Sequence, residues 1–155
     1  ELFPSEMLDD MIQPFFDINT GNDEKECQDV WFVEASSDEN SSSDDQSLAA
    51  VVYCGPEKMT EGNYNAWLLT VNPASQRKGC GRRIMKHLEE NLAQEKQARL
   101  LLVETSGNVE YASARSFYEA IGYSQEARIR EFYQAGEDKI VYRKNLLSAV
   151  VAENQ

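Results

Sequence analysis

The sequence predicts one mixed α/β domain across residues 1–155, a single mixed β-sheet flanked by helices. Three observations carry this prediction. At 155 residues the chain has one domain's worth of length. Apolar residues make up 41 % and charged residues 27 %, enough apolar material for one core. The apolar spacing switches repeatedly between strand and helix periods, in the order helix, three strands, helix, strand, helix, two strands. Neither a repeat nor a linker divides it.

Ser5 suits an N-cap, and Met7, Leu8, Met11, Ile12 and Phe15 follow at helical spacing until Pro14 kinks or ends the helix. Polar residues 17–29 lead to a short strand at Val30–Val33. The stretch over about 36–48 is low-complexity serine and acid without an apolar anchor, so it reads as a solvated hairpin loop. Leu48–Tyr53 pairs with the preceding strand across it. Turn signals at Gly55-Pro56 and Glu61-Gly62-Asn63 precede Tyr64–Val71, a strand apolar enough to be central, which Pro73 ends. From Gly81 onward Ile84, Leu88 and Leu92 lie four apart, with Met85 beside them, on one helical face. The run Arg99–Val103 suits a strand buried on both faces. Ala114, Phe117, Tyr118 and Ile121 mark a second helix, closed by Gly122. Two last strands surround a turn at Gly136-Glu137-Asp138.

The formal charge of −12 excludes a general nucleic-acid binder. Its distribution is uneven. Residues 1–48 hold 14 acids against one base, Lys25, whereas the remainder holds 14 bases and 13 acids. Within that remainder Arg77, Lys78, Arg82, Arg83 and Lys86 form a basic island, with no acid between residues 72 and 88. Such an island on an acidic chain suggests a local anion site. No apolar run approaches the roughly 20 residues of a spanning helix, so no membrane role is expected. Cys27, Cys54 and Cys80 are widely spaced and fit neither a disulfide framework nor a zinc pattern. That usage fits a reducing, cytoplasmic setting. With His87 as the single histidine, neither a His-rich metal site nor a serine triad is expected, and no metal is required.

The most informative stretch is Val71-Asn72-Pro73-Ala74-Ser75-Gln76-Arg77-Lys78-Gly79-Cys80-Gly81-Arg82. A strand ends, glycines turn the backbone, and a helix begins with orphan N–H groups and flanking cations, which together make an anion cradle. Neither the P-loop spacing nor the dinucleotide glycine pattern is present, so ATP and NAD readings fail.

Gln76-Arg77-Lys78-Gly79-Cys80-Gly81 does match Gln/Arg-x-x-Gly-x-Gly/Ala. Ala114 to Tyr123 (ARSFYEAIGY) matches Ala-x-x-Phe-Tyr-x-x-x-Gly-Phe at the expected distance, with Tyr123 at the last position. With LLVETSG at 101–107 and the tail over 126–146, the chain resembles the GCN5-related N-acetyltransferases over about residues 28–146. The resemblance is strongest over 67–143. It implies a mixed sheet splayed between two parallel strands, with acetyl-CoA lying in the opening. The pantetheine arm would pair with the backbone of Leu69, Thr70 and Val71. The pyrophosphate would rest on the loop and helix start formed by Gln76, Arg77, Lys78, Gly79, Cys80, Gly81 and Arg82, with charge-assisted contacts from Arg77, Lys78 and Arg82.

The same resemblance makes Tyr118 the general acid for the leaving thiolate. An attacking alkylamine, with a pKa of about 10.4, also needs a base. Glu104 at the end of the buried strand is the candidate, with Glu57, Glu61 or a water chain as alternatives. Cys54 or Cys80 as acyl carrier is the mechanistic rival to direct transfer. Two departures stand out. Tyr111 occupies a position where the family often has Asn, and the chain begins near the first helix, so the family's first strand is expected to be missing. The implied acceptor is a small-molecule primary amine, which the acidic front makes cationic. A peptide or protein amine, and a non-catalytic acyl-CoA sensor, are the other readings. Analogy with related enzymes adds a homodimer.

Overall fold

The computed structural model describes residues 30–35 and 48–147. The first helix and the acidic loop read from the sequence lie outside the described residues, apart from Leu48. Among the described residues six strands form one sheet: β1 (Val30–Ala35), β2 (Leu48–Pro56), β3 (Asn63–Val71), β4 (Leu100–Ser106), β5 (Ser124–Gln134) and β6 (Glu137–Asn145). Their spatial order is β1-β2-β3-β4-β6-β5, and every neighbouring pair is antiparallel except β3 and β4. The parallel pair needs a crossover, supplied by helix α1 (Cys80–Glu95). A second helix, α2 (Ala112–Ala120), joins β4 to β5. Among the described residues no helix is long and apolar enough to cross a membrane.

Both helices cover one face of the sheet. Ile84, Met85, Leu88 and Leu92 of α1 are buried in one cluster with Val52, Ala66, Leu101, Val103, Tyr118 and Tyr142. Burying each large apolar side chain contributes roughly 1.5–3 kcal/mol, so this layer holds the helices on the sheet. α2 ends in a Schellman turn. Tyr123 N–H donates to Tyr118 C=O (3.0 Å) and Gly122 N–H to Glu119 C=O (3.1 Å), with Gly122 at φ +92°. The accompanying apolar contact is the edge-on packing of Tyr118 against Tyr123, ring centres 5.9 Å apart. The turn that stops α2 thus also fixes the Tyr118 ring.

Two expectations need correction. β4 is not buried on both faces: Leu101 and Val103 are buried, but Leu100 and Leu102 are only half-buried. The last hairpin turns at Ala135-Gly136, because Glu137 already bonds into the sheet as the first residue of β6.

The placement of β3 against β4 decides the site. Their ladder runs from Asn63↔Leu100 to Ala66↔Val103 and stops, although β3 continues to Val71 and β4 to Ser106. The register of β3 with β2 slips at the same level: Tyr53 faces Leu68, Cys54 faces Ala66, and Trp67 is the extra residue. Such a bulge raises the local twist of a strand and ends pairing. It turns the upper half of β3 away from β4.

Candidate active site

A cleft of about 640 Å³ opens beside that split, on the helical face. Leu69 and Val71 of β3 line one side, and Gln76, Arg77, Gly79, Cys80, Gly81 and Arg82 form the floor. Ser113, Ala114, Phe117 and Tyr118 of α2 form the other side, and Ser75 completes it. Nine of the residues singled out in the sequence therefore meet in one cavity. Thr70, Lys78 and Glu104 do not line it. Thr70 is excluded by strand alternation, since Leu69 and Val71 already point to the helical face. Ser75 and Ser113 carry no sequence signal. Ala114 and Phe117 were visible as motif positions, but their wall role depends on how α2 docks.

The floor is built for an anion. Arg77 at φ +59° and Gly79 at φ +82° both adopt left-handed backbone. A left-handed conformation costs a non-glycine residue about 1–2 kcal/mol, so Arg77 is held there by its surroundings. Alternation of this kind turns successive N–H groups into a concave nest. α1 then starts on Gly79 with no side-chain cap and no acid in its first turn. Arg82 and Arg83 sit where the helix dipole disfavours cations, which an anionic ligand offsets. Arg82 donates to Ala120 C=O (3.3 Å), Arg83 to Lys78 C=O (3.0 Å) and Cys80 Sγ (3.2 Å). Gln76 reaches back to Val71 C=O (3.3 Å) and ties the loop to the end of β3. Close approach is also provided: a Cβ on Gly81 would lie 3.3 Å from the Phe117 ring.

Tyr118 is buried, at 8 % exposure, beside Phe117, Tyr123 and Tyr142. Burial pushes its phenol up to about 12, so it remains protonated at neutral pH. Arg115 anchors α2 to the end of β4 by donating to Ser106 C=O (2.7 Å) and Asn108 C=O (2.8 Å).

Glu104 follows Val103, the last β4 residue paired with β3. Val103 faces the helices, so Glu104 faces the other way, on the opposite face of the sheet from Tyr118. Its carboxylate accepts from Lys139 Nζ at 2.7 Å. Glu57, an alternative base, accepts from Asn65 Nδ2 at 2.8 Å. Of the aromatic residues near the candidate site, Tyr64 is core, and half-buried Trp67 packs on Tyr53 with centroids 5.2 Å apart. Phe132 and Tyr133 are exposed, at 50 % and 45 %.

A parallel strand pair that splays beside an uncapped, basic helix start defines a CoA-dependent acyltransferase. The model for the acetyltransferase (GNAT) domain matches residues 31–125, and the chain belongs to that family of acetyl-CoA-dependent N-acetyltransferases. No curated protein matches the chain significantly. Among solved structures, a protein from Desulfovibrio desulfuricans assigned to the GNAT acetyltransferases is 32 % identical, with a TM-score of 0.76 over 93 % of this chain and 84 % of that one. The spermidine/spermine N-acetyltransferase of Vibrio cholerae shares the fold at 14 % identity, with a TM-score of 0.67 over 94 % and 79 %. An aminoglycoside 6'-N-acetyltransferase complexed with coenzyme A does so at 14 % identity and a TM-score of 0.63, over 90 % and 88 %.

Proposed function

We propose that the protein transfers acetyl directly from acetyl-CoA to a primary amine of a small cationic molecule, with Tyr118 as the general acid. One observation carries the reading: the split edge of β3, the uncapped start of α1 and the buried Tyr118 border a single cleft. Acetyl-CoA supplies the acetyl group as an activated thioester. Arg77, Gly79, Gly81 and Arg82 would hold its phosphates, and the β3 edge at Leu69, Thr70 and Val71 would take the pantetheine arm. Lys78 lies beside the cavity and would add only long-range charge.

Tyr118 holds its proton for delivery to the sulfur as the C–S bond breaks. A phenol near 12 is a weaker acid than a free thiol of about 8.5, so the transfer is favourable only when coupled to bond breaking. The same dry surroundings raise a leaving thiol as well, which narrows the mismatch. Glu104 stands on the acceptor side as the base, directly or through water, and its carboxylate is engaged by Lys139 until the amine arrives. A cationic acceptor is supported by the acidic front third of the chain and by Glu104 and Glu137 beside two exposed aromatic rings. The printed names of two fold neighbours, for spermidine/spermine and aminoglycoside acetylation, fit the same chemistry.

Thiol release from acetyl-CoA across a panel of mono-, di- and polyamines tests the reading. Turnover with a small cationic amine, and no acetyl-enzyme in acceptor-free incubation, is expected. Acetyl trapped on Cys54 or Cys80 overturns direct transfer, and tight acetyl-CoA binding without turnover on any amine favours a sensor.

A further inference from the structure

Lys139 occupies an unusual position. Its Nζ lies 2.7 Å from Glu104 Oε2 and 3.9 Å from the centre of the Phe132 ring. Its side chain is 12 % exposed, whereas that of its partner Glu104 is 28 % exposed. A carboxylate on one side and an aromatic face on the other is the environment that binds an ammonium ligand. Glu104 lies one residue past Val103, where the β3–β4 ladder stops, and Lys139 pairs with Ser106 two residues further along β4.

The ring is brought there deliberately. Between Ile129↔Lys139 and Gln134↔Glu137 four residues of β5 face a single residue of β6, Asp138. The excursion includes Glu131 at φ +52° and is fastened by buried Asp138, which accepts the Glu131 N–H at 2.9 Å and the Arg128 guanidinium. Phe132 and Tyr133, packed edge-on with centroids 5.1 Å apart, project from it. Glu104 and Glu137 both act on the Tyr133 phenol, which is raised by burial first and by these carboxylates next.

We infer that Glu104 and Phe132 form an ammonium subsite of the acceptor pocket, and that Lys139 is a resident cation which a cationic acceptor displaces. The inference rests on the acetyltransferase reading for its biological ligand, an alkylammonium of the acceptor. Lys139 then acts as a specificity residue: only an acceptor whose cation outcompetes a tethered ammonium gains the site. Displacement leaves Glu104 facing the incoming amine instead of its lysine.

Tetramethylammonium, which cannot be acetylated, is the probe, with coenzyme A present throughout. In Lys139→Met the aliphatic stem remains and the ammonium position is vacated. Binding of the probe is expected to tighten about tenfold in this variant, to stay at the wild-type level in Lys139→Arg, and to fall back in the double variant with Phe132→Leu. In the unaltered protein, saturating probe is expected to raise labelling of Lys139 by an amine-reactive ester, read by peptide mass. That measurement stands even if Lys139→Met does not fold. Equal probe affinity in wild type and Lys139→Met, or labelling of Lys139 that ignores the probe, overturns the inference. Absence of turnover on every amine overturns the proposed function but leaves both probe measurements interpretable.

Discussion

Gly81 faces Phe117 across the floor of the cleft with no room for a side chain: a methyl on Gly81 would lie 3.3 Å from the Phe117 ring and 3.4 Å from Val71. The helix start, the β3 end and the α2 wall therefore meet at one residue without a side chain. Gly81→Ala gains up to about 1 kcal/mol of helix propensity and loses about 1–3 kcal/mol to overpacking, so its net effect on stability is small. Its effect on the cofactor is larger, because the methyl and the displaced ring both enter the cleft. We expect the KM for acetyl-CoA to rise about tenfold with kcat changed less than threefold, measured by thiol release.

Tyr118 has no hydrogen-bond partner for its hydroxyl among the described residues, so its ring is held by packing alone. Tyr118→Phe therefore keeps the ring and removes the proton. The expected result is a loss in kcat of about a hundredfold or more, with acetyl-CoA affinity within threefold of wild type. Stability has a separate signature. A phenol raised from 10.0 to about 12 in the fold contributes stability that is fully present below pH 10 and lost as pH rises through about 12. That two-unit difference is worth about 3 kcal/mol. By pH 11, midway between the two values, about half of it (~1.4 kcal/mol) is lost, so the fall in unfolding free energy between pH 8 and pH 11, read by urea titration, should be smaller by about that half in Tyr118→Phe.

Much of this site is local in sequence and was legible there. The Gln76–Gly81 loop, the Ala114–Gly122 helix and the order of strands each follow from residues close along the chain. What escaped reading depends on register between distant segments. Lys139 meets Glu104 across 35 positions, and only the β4–β6 pairing puts them on one face. The Trp67 bulge is a mismatch between strands, not a property of either one. The alternation of Ala127/Arg128/Ile129/Arg130 breaks at Glu131-Phe132-Tyr133, but the break alone does not give a four-residue excursion, which depends on the fastening by Asp138. Thr70 is different, because the period of two already set it apart from Leu69 and Val71.

Glu104→Gln preserves shape, removes the carboxylate charge and breaks the pair with Lys139. For a base that takes a proton from the acceptor ammonium, kcat/KM for the amine should fall about a hundredfold at pH 7.5. The loss should shrink as pH approaches the amine pKa of about 10.4, where free amine no longer needs a base. A pH-independent loss would assign Glu104 to binding alone. A change below threefold would move the proton to a water chain.

Asp138 is the one β6 residue opposite the excursion of β5, and Gly107 packs against it: a Cβ on Gly107 would lie 3.3 Å from Asp138 Cβ, and Gly107 N–H donates to Asp138 C=O at 2.8 Å. The backbone of β6 is thus pinned to the end of β4, while the carboxylate fastens Glu131 and Arg128. In Asp138→Asn the amide oxygen still accepts the Glu131 N–H, but the ion pair is lost and Phe132 and Tyr133 lose their fixed position. The KM for the acceptor should rise roughly three- to tenfold, by the weakening expected of a displaced aromatic contact, while the KM for acetyl-CoA stays unchanged. The pH dependence has a definite sign. The Glu131 N–H, then the Arg128 guanidinium, hold the Asp138 carboxyl below its ordinary 3.8. The stability it contributes is present above about pH 4 and disappears as pH falls through the lowered value. Wild type should therefore be the more stable of the two at pH 6, with the difference vanishing toward pH 2. A stability gap that persists to pH 2 would show that the carboxylate is not the fastening.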